Sequence, residues 1–114
     1  MSKLNTMYTE IRAGKIKFNA PVSYDIVDKN SGKRIATIDF QNGPVKENGL
    51  NGVFIEDLLL ICIDQLEHFQ DSEFKCKENE DTLRHLRDAL VPVQDSMKDC
   101  YVGYRGEMKN KEMV

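Results

Sequence analysis

The 114-residue chain is poor in the patterns that mark several simple functional classes. Its three cysteines, Cys62, Cys76 and Cys100, show no C-x-x-C spacing, and its two histidines, His68 and His85, fall outside any zinc-like pattern. Neither a disulfide framework nor a structural metal is therefore expected, and no cofactor is implied. Basic charge is not in excess: 16 Lys plus Arg stand against 19 Asp plus Glu, a net charge of −3. That balance argues against duplex nucleic acid as a partner. The longest apolar run, residues 53–63, is broken by Glu56 and Asp57 and falls short of the roughly 20 apolar residues that span a bilayer. The opening MSKLNTMYTE has no apolar stretch after a basic start, so no secretory signal and no membrane partner are expected, and a cytoplasmic location is.

What is present suits one α+β domain, residues 1–114, with a strand-rich half over about 1–50 and a helical hairpin over about 51–110. Leu4, Met7, Tyr8 and Ile11 recur at helical spacing before Gly14, which predicts a short leading helix. Ile16 and Phe18, then Val22, Tyr24 and Ile26, alternate with polar residues and predict strands with one buried face. Turn residues over 28–33 followed by a strand-like stretch over 34–40 predict an antiparallel hairpin. Residues 41–52 hold three glycines and a proline, which predicts a shaped loop between two halves.

Beyond it, Val53, Phe54, Leu58, Ile61, Leu66 and Phe69 predict a largely buried helix of about 17 residues. Asn79 carries a side-chain oxygen suited to capping a second helix, with Glu80 and Asp81 in its first turn. Leu83, Leu86, Leu90, Val93, Met97, Cys100 and Tyr104 then step by three and four, a seam that wants a partner helix. Pro92 should kink this helix without ending it, because the period continues past it. A helix reaching residue 108 would project past its neighbour and expose Met97, Tyr101, Tyr104 and Met108, which predicts a homodimer.

No catalytic constellation stands out. His68 and His85 read as solvated, Cys62 and Cys100 as small hydrophobes in packed faces, and Cys76 as looser and open to solvent. Glu56, Asp57 and Asp64 form no compelling acid–base pair, and no Gly-rich phosphate loop is present. The inventory suits instead a planar, phosphorylated small molecule: Phe69, Phe74, Tyr101 and Tyr104 for stacking, Asn51 and Asn79 for amide contacts, and Arg105 between two glycines for phosphate. Phe69 and Phe74 read equally as core or loop anchors, Asn79 as a cap and Arg105 as a solvated side chain. The loop carrying Gly49 and Gly52 reads either as a connector or as backbone brought close to a ligand.

Four strings, FQNGPVKENGLNGVFIEDLL at 40–59, LEHFQDSEFKCKEN at 66–79, LRHLRDAL at 83–90 and RGE at 105–107, together resemble the first-described Thoeris anti-defence family of phage proteins. That family shares its C-terminal helical hairpin with a phage anti-CBASS sponge. The resemblance implies an N-terminal antiparallel sheet, two C-terminal helices and assembly as a homodimer or a hexamer. It implies a sponge and not an enzyme: a protein that binds a cyclic ADP-ribose isomer (glycocyclic ADP-ribose), with cyclic di- or trinucleotides as further candidates, and starves the downstream effector in the host cytoplasm. Carried over by motif, Phe69 would stack on adenine, Asn79 would meet base or ribose, and Arg105 would meet phosphate; Phe74, Asn51 and Gly52, from the residue inventory and the loop, are the other candidate ligand-binding residues. The chain departs from the family at SMKDCYVGYRG, residues 96–106, where relatives have an arginine-rich stretch. A helical-hairpin module binding a host protein through Met97, Tyr101 and Tyr104 is the alternative.

Overall fold

The computed structural model describes residues 4–17 and 19–99. Phe18, Cys100, Tyr101, Tyr104, Arg105 and Met108 lie outside them, as does the side chain of Met97. The chain divides into two compact units, Met1–Val53 and Phe54–Val114. The first carries strands β1 (Thr9–Ala13), β2 (Ile16–Lys17), β3 (Ala20–Pro21), β4 (Ser23–Asp28) and β5 (Arg34–Asp39) and a one-turn helix α1 (Val45–Asn48). The second carries α2 (Ile55–Gln70) and α3 (Lys77–Asp99). An antiparallel sheet followed by a C-terminal helical hairpin is the α+β arrangement expected from the sequence.

The sheet is antiparallel in the order β1-β4-β5. Its first hairpin is one continuous register: Ala13 faces Tyr24 and Ile16 faces Pro21, with the Gly14 and Val22 amides donating to Ser23 and Lys15 between them. The hairpin predicted over 28–33 forms because the Asp28 carboxylate accepts from the Asn30 and Ser31 amides at 2.8 and 3.1 Å while Gly32 takes a left-handed φ of 77°. Those amides, Ser31 first, hold the Asp28 carboxyl below the usual carboxylate range.

The leading helix does not form. Thr6 turns the chain instead: its hydroxyl accepts from the Thr9 amide at 2.9 Å and its own amide donates to the Thr9 carbonyl at 2.9 Å. Ile11 then donates to the Leu4 carbonyl, so the residues at helical spacing lie on a small hairpin. Met7 and Tyr8 sit exposed at its tip. Two pairing strands outcompete a helix too short to be stable alone. Ile16 is also exposed rather than on a buried face: β2 pairs with the two-residue β3, outside the three-stranded sheet. Within β4 the deepest residue is Val27, not one of the expected alternating set. As the central strand, β4 is partly covered on both faces.

Residues 41–53 fold around one side chain. Gln41 is 0% exposed; its Nε2 donates to the Gly43 and Gly49 carbonyls at 3.0 and 2.9 Å, and its Oε1 accepts from the Asn51 amide at 2.9 Å. Its backbone amide donates to Val53, whose own amide donates to Asp39, so Val53 runs parallel to Phe40 at the sheet edge. The loop thus encloses α1, a turn of helix that its glycine content had argued against. Gly49 is left-handed at φ 72°, and a Cβ at Gly52 would overlap the Phe40 carbonyl and the Gln41 nitrogen.

The helices α2 and α3 run antiparallel, since Glu67 pairs with Arg87 at 2.7 Å and Glu56 accepts from Gln94 at 2.7 Å. Asp57 starts α2 by accepting from the Phe54 amide at 2.8 Å. Leu83 is buried and Leu86, Leu90 and Val93 are half-buried, so the predicted seam is the inward face of α3, and the helix continues past Pro92. α2 corrects its expectation: Ile63 is its one buried residue, whereas Ile61 is 63% exposed and Cys62 is exposed. One neighbouring helix covers one stripe, and the apolar residues of α2 spread wider than that stripe, with Leu60, Ile61 and Cys62 exposed beyond it. Among the described residues no helix is long and apolar enough to cross a membrane.

Replacing Gln41 with Met should strand three loop groups and destabilise the protein by about 3 kcal/mol in chemical denaturation. A loss below about 0.5 kcal/mol, the level of an inert surface change, would contradict the buried-carboxamide account.

Candidate functional site

The site is assembled where α2 ends and α3 begins. Phe69 and Gln70 are the last two residues of α2, and the Ser72 hydroxyl donates to the Phe69 carbonyl at 2.6 Å while accepting from the Phe74 amide at 3.1 Å. This Ser turn brings the Phe74 ring back against Phe69, edge to face, with centroids 6.3 Å apart and planes at 75°. The carboxamide of Gln70 then closes the connection: Oε1 accepts from the Cys76 amide and Nε2 donates to the Cys76 carbonyl, both at 3.0 Å.

Asn79 does not cap α3. The helix begins at Lys77, three residues earlier than a cap at Asn79 implies, so Asn79 lies in its first turn and donates from Nδ2 to the Phe74 carbonyl at 3.4 Å. The cap position falls to Cys76, whose carbonyl receives the Glu80 amide at 3.3 Å and whose amide Gln70 already satisfies. Glu78 and Glu80 are the acidic residues of that first turn.

Phe69, Phe74, Cys76 and Asn79 together line a surface pocket of about 430 Å³. Three of the six residues predicted to hold ligand are therefore adjacent. Phe69 is 38% and Phe74 65% exposed, so neither ring is a core residue and both present surface to solvent. Two apolar rings and a carboxamide can stack a planar group and hydrogen-bond its edge. Of the other three residues, Arg105 lies outside the described residues. Asn51 and Gly52 belong to the sheet unit, where the Asn51 carboxamide accepts from the Asn42 amide at 2.8 Å and donates to its carbonyl at 2.9 Å. Asn51 also borders a smaller pocket of about 280 Å³ with Val22, Asp39, Phe40 and Asn42. A third hollow, about 400 Å³ and almost wholly apolar, runs along the hairpin between Ile61, Cys62, Leu66 and Leu86.

A family model described as the Acb2/Tad1 hairpin domain matches residues 33–91, from the start of β5 through most of α3. The chain belongs to the Acb2/Tad1 hairpin family. A protein of Bacillus phage SBSphiJ7 named Thoeris anti-defense 1 is 44% identical over 69 residues, which are 60% of this chain and 49% of that relative. The chain thus spans about half the length of the curated relative it matches.

In this Acb2/Tad1 hairpin protein, charged side chains neighbour the pocket residues in sequence, and none is among the described residues that line it. Lys77 holds Asp81 at 2.9 Å, with Arg84 at 3.3 Å, and keeps its carboxyl below the usual range. His68, next to Phe69, places Nδ1 2.8 Å from the Asp64 carbonyl and 3.6 Å from its carboxylate. The carbonyl first, then the carboxylate, raises the imidazole pKa and favours a cation in the last turn of α2. Reading by residue type missed Gln41 and Gln70, since glutamine is ordinarily a surface residue. The available signal was their shared place, directly after the phenylalanines of FQ-x-GP and LE-x-FQ.

The proton-detected titration of His68 should have its midpoint above the ordinary 6.5, and Asp64→Asn should lower it without abolishing the shift, because the carbonyl remains. The attached stabilisation is complete below the ordinary pKa and fades as pH rises through the raised one. A midpoint at or below 6.5 would refute this arrangement.

Proposed function

We propose that this protein is a phage anti-defence sponge. It binds a cyclic ADP-ribose isomer, glycocyclic ADP-ribose, in the host cytoplasm and withholds it from the Thoeris effector without altering it. Cyclic di- or trinucleotides are secondary ligands in the same reading. The carrying observation is the convergence of Phe69, Phe74 and Asn79 on one pocket of about 430 Å³, inside the stretch that matches the Acb2/Tad1 hairpin.

The chemistry of such a trap is binding alone. The ring of Phe69 stacks adenine while that of Phe74, set edge to face against it, meets the rim of the base, and Asn79 spends one long hydrogen bond on Phe74, leaving carbonyl and N–H capacity for base or ribose. Arg105 supplies the phosphate contact, and Asn51 and Gly52 of the sheet unit are further ligand-binding residues in this reading. The exposed apolar residues of α2, Leu60 and Ile61 among them, support assembly as a homodimer or a hexamer, because apolar side chains that α3 leaves uncovered gain by burial against another neighbour. The apolar hollow beside Ile61 and Leu66 also fits a second reading, a hairpin that docks a protein and has no nucleotide ligand.

Phe69→Ala combined with Asn79→Ala should weaken binding of glycocyclic ADP-ribose by about 100-fold, from lost stacking plus a lost amide contact. The thermal midpoint and the elution mass, above that of a monomer, should be unchanged. Undiminished binding, or a variant that unfolds, would show these residues to be scaffold and not site.

A further inference from the structure

The Gln70 carboxamide does what a pair of β-strands does, donating and accepting at a single residue: it takes the Cys76 amide on Oε1 and gives Nε2 to the Cys76 carbonyl, each at 3.0 Å. Its Nε2 also lies 3.4 Å from the Glu80 carboxylate on the first turn of α3. The segment it closes contains Phe74, and Phe69 directly precedes it. Without this closure Phe74, 65% exposed, is held by the edge of Phe69, by the Ser72 turn and by the long Asn79 bond to its carbonyl. An exposed aromatic on a six-residue connection loses conformational freedom when it stacks on a ligand, and a prior clasp removes much of that cost.

We infer that Gln70 is a positioning residue of the proposed ligand site, holding Phe74 against Phe69 so that the pair is formed before ligand arrives. Gln70 does not line the pocket; it acts through Phe74. This rests on the reading of the pocket as the ligand site, and its test separates the two.

The test is a double-mutant cycle between Gln70→Met, which keeps the side-chain length without the amide, and Phe74→Ala, read by calorimetric titration of the full-length protein with glycocyclic ADP-ribose. A positioning role predicts that Gln70→Met weakens binding about tenfold when Phe74 is present and by less than about twofold in the Phe74→Ala background. Hydrogen exchange should show the Cys76 amide protected in the unliganded wild type and unprotected in unliganded Gln70→Met, while circular dichroism keeps the helical signal of both. Equal losses in the two backgrounds would reduce Gln70 to general support of the hairpin and overturn the inference. Unchanged affinity in Gln70→Met would also overturn it while leaving the sponge reading intact. No binding by the wild type removes the sponge reading, and the inference with it.

Discussion

The Gln41 side chain has no exposed surface, and its carboxamide is bonded to two carbonyls and one amide of the loop that follows it. Burying an amide without partners costs several kcal/mol, so its position is tenable only if the loop adopts the one path that supplies those partners. The glycines are consequences of that path. Gly49 turns with a left-handed φ to aim its carbonyl inward, and Gly52 lets the returning chain lie against the Phe40 backbone. Val53 can then pair at the sheet edge, which fixes where the sheet unit ends.

The helical hairpin repeats this solution at smaller scale. Gln70 also follows a phenylalanine and satisfies both main-chain groups of a residue further on. In both places a glutamine side chain bonds main-chain groups of a connection and ties it down without added apolar core. Rigidity matters most at the hairpin, because the connection between α2 and α3 carries Phe74 and leads directly to Asn79. A pocket edged by two rings already set against each other at a clasped helix junction suits retention, since the rings lose little conformational freedom on binding.

Legibility in the sequence followed the strength of local periodicity. The turn at 28–33, the seam of α3 and the continuation past Pro92 could be read because Asx chemistry and three-four spacing are local signals. The start of the chain misled because Leu4, Met7, Tyr8 and Ile11 match a helical stripe by spacing, yet the decisive contacts, Thr9 with Asp28 and Ile11 with Ile26, are remote in sequence. Cys62 was placed in a packed face because α2 is apolar on most sides; only the solvent exposure of a single hairpin shows which side has a neighbour. Asn79 is an instructive half-success. Its place in one site with Phe69 was expected from the family resemblance, whereas its capping role was lost because Gln70, six residues before Cys76, bonds both main-chain groups there, a contact no residue-type preference encodes.

The central claim is that this pocket holds a cyclic nucleotide signal and returns it unchanged. Its most direct test mixes the purified protein with glycocyclic ADP-ribose, removes free ligand by filtration, denatures the complex by heat and analyses the released nucleotide by mass spectrometry. Retention followed by release of the intact ring is the predicted result. Failure to retain the ring, or release of a hydrolysed product, would contradict it.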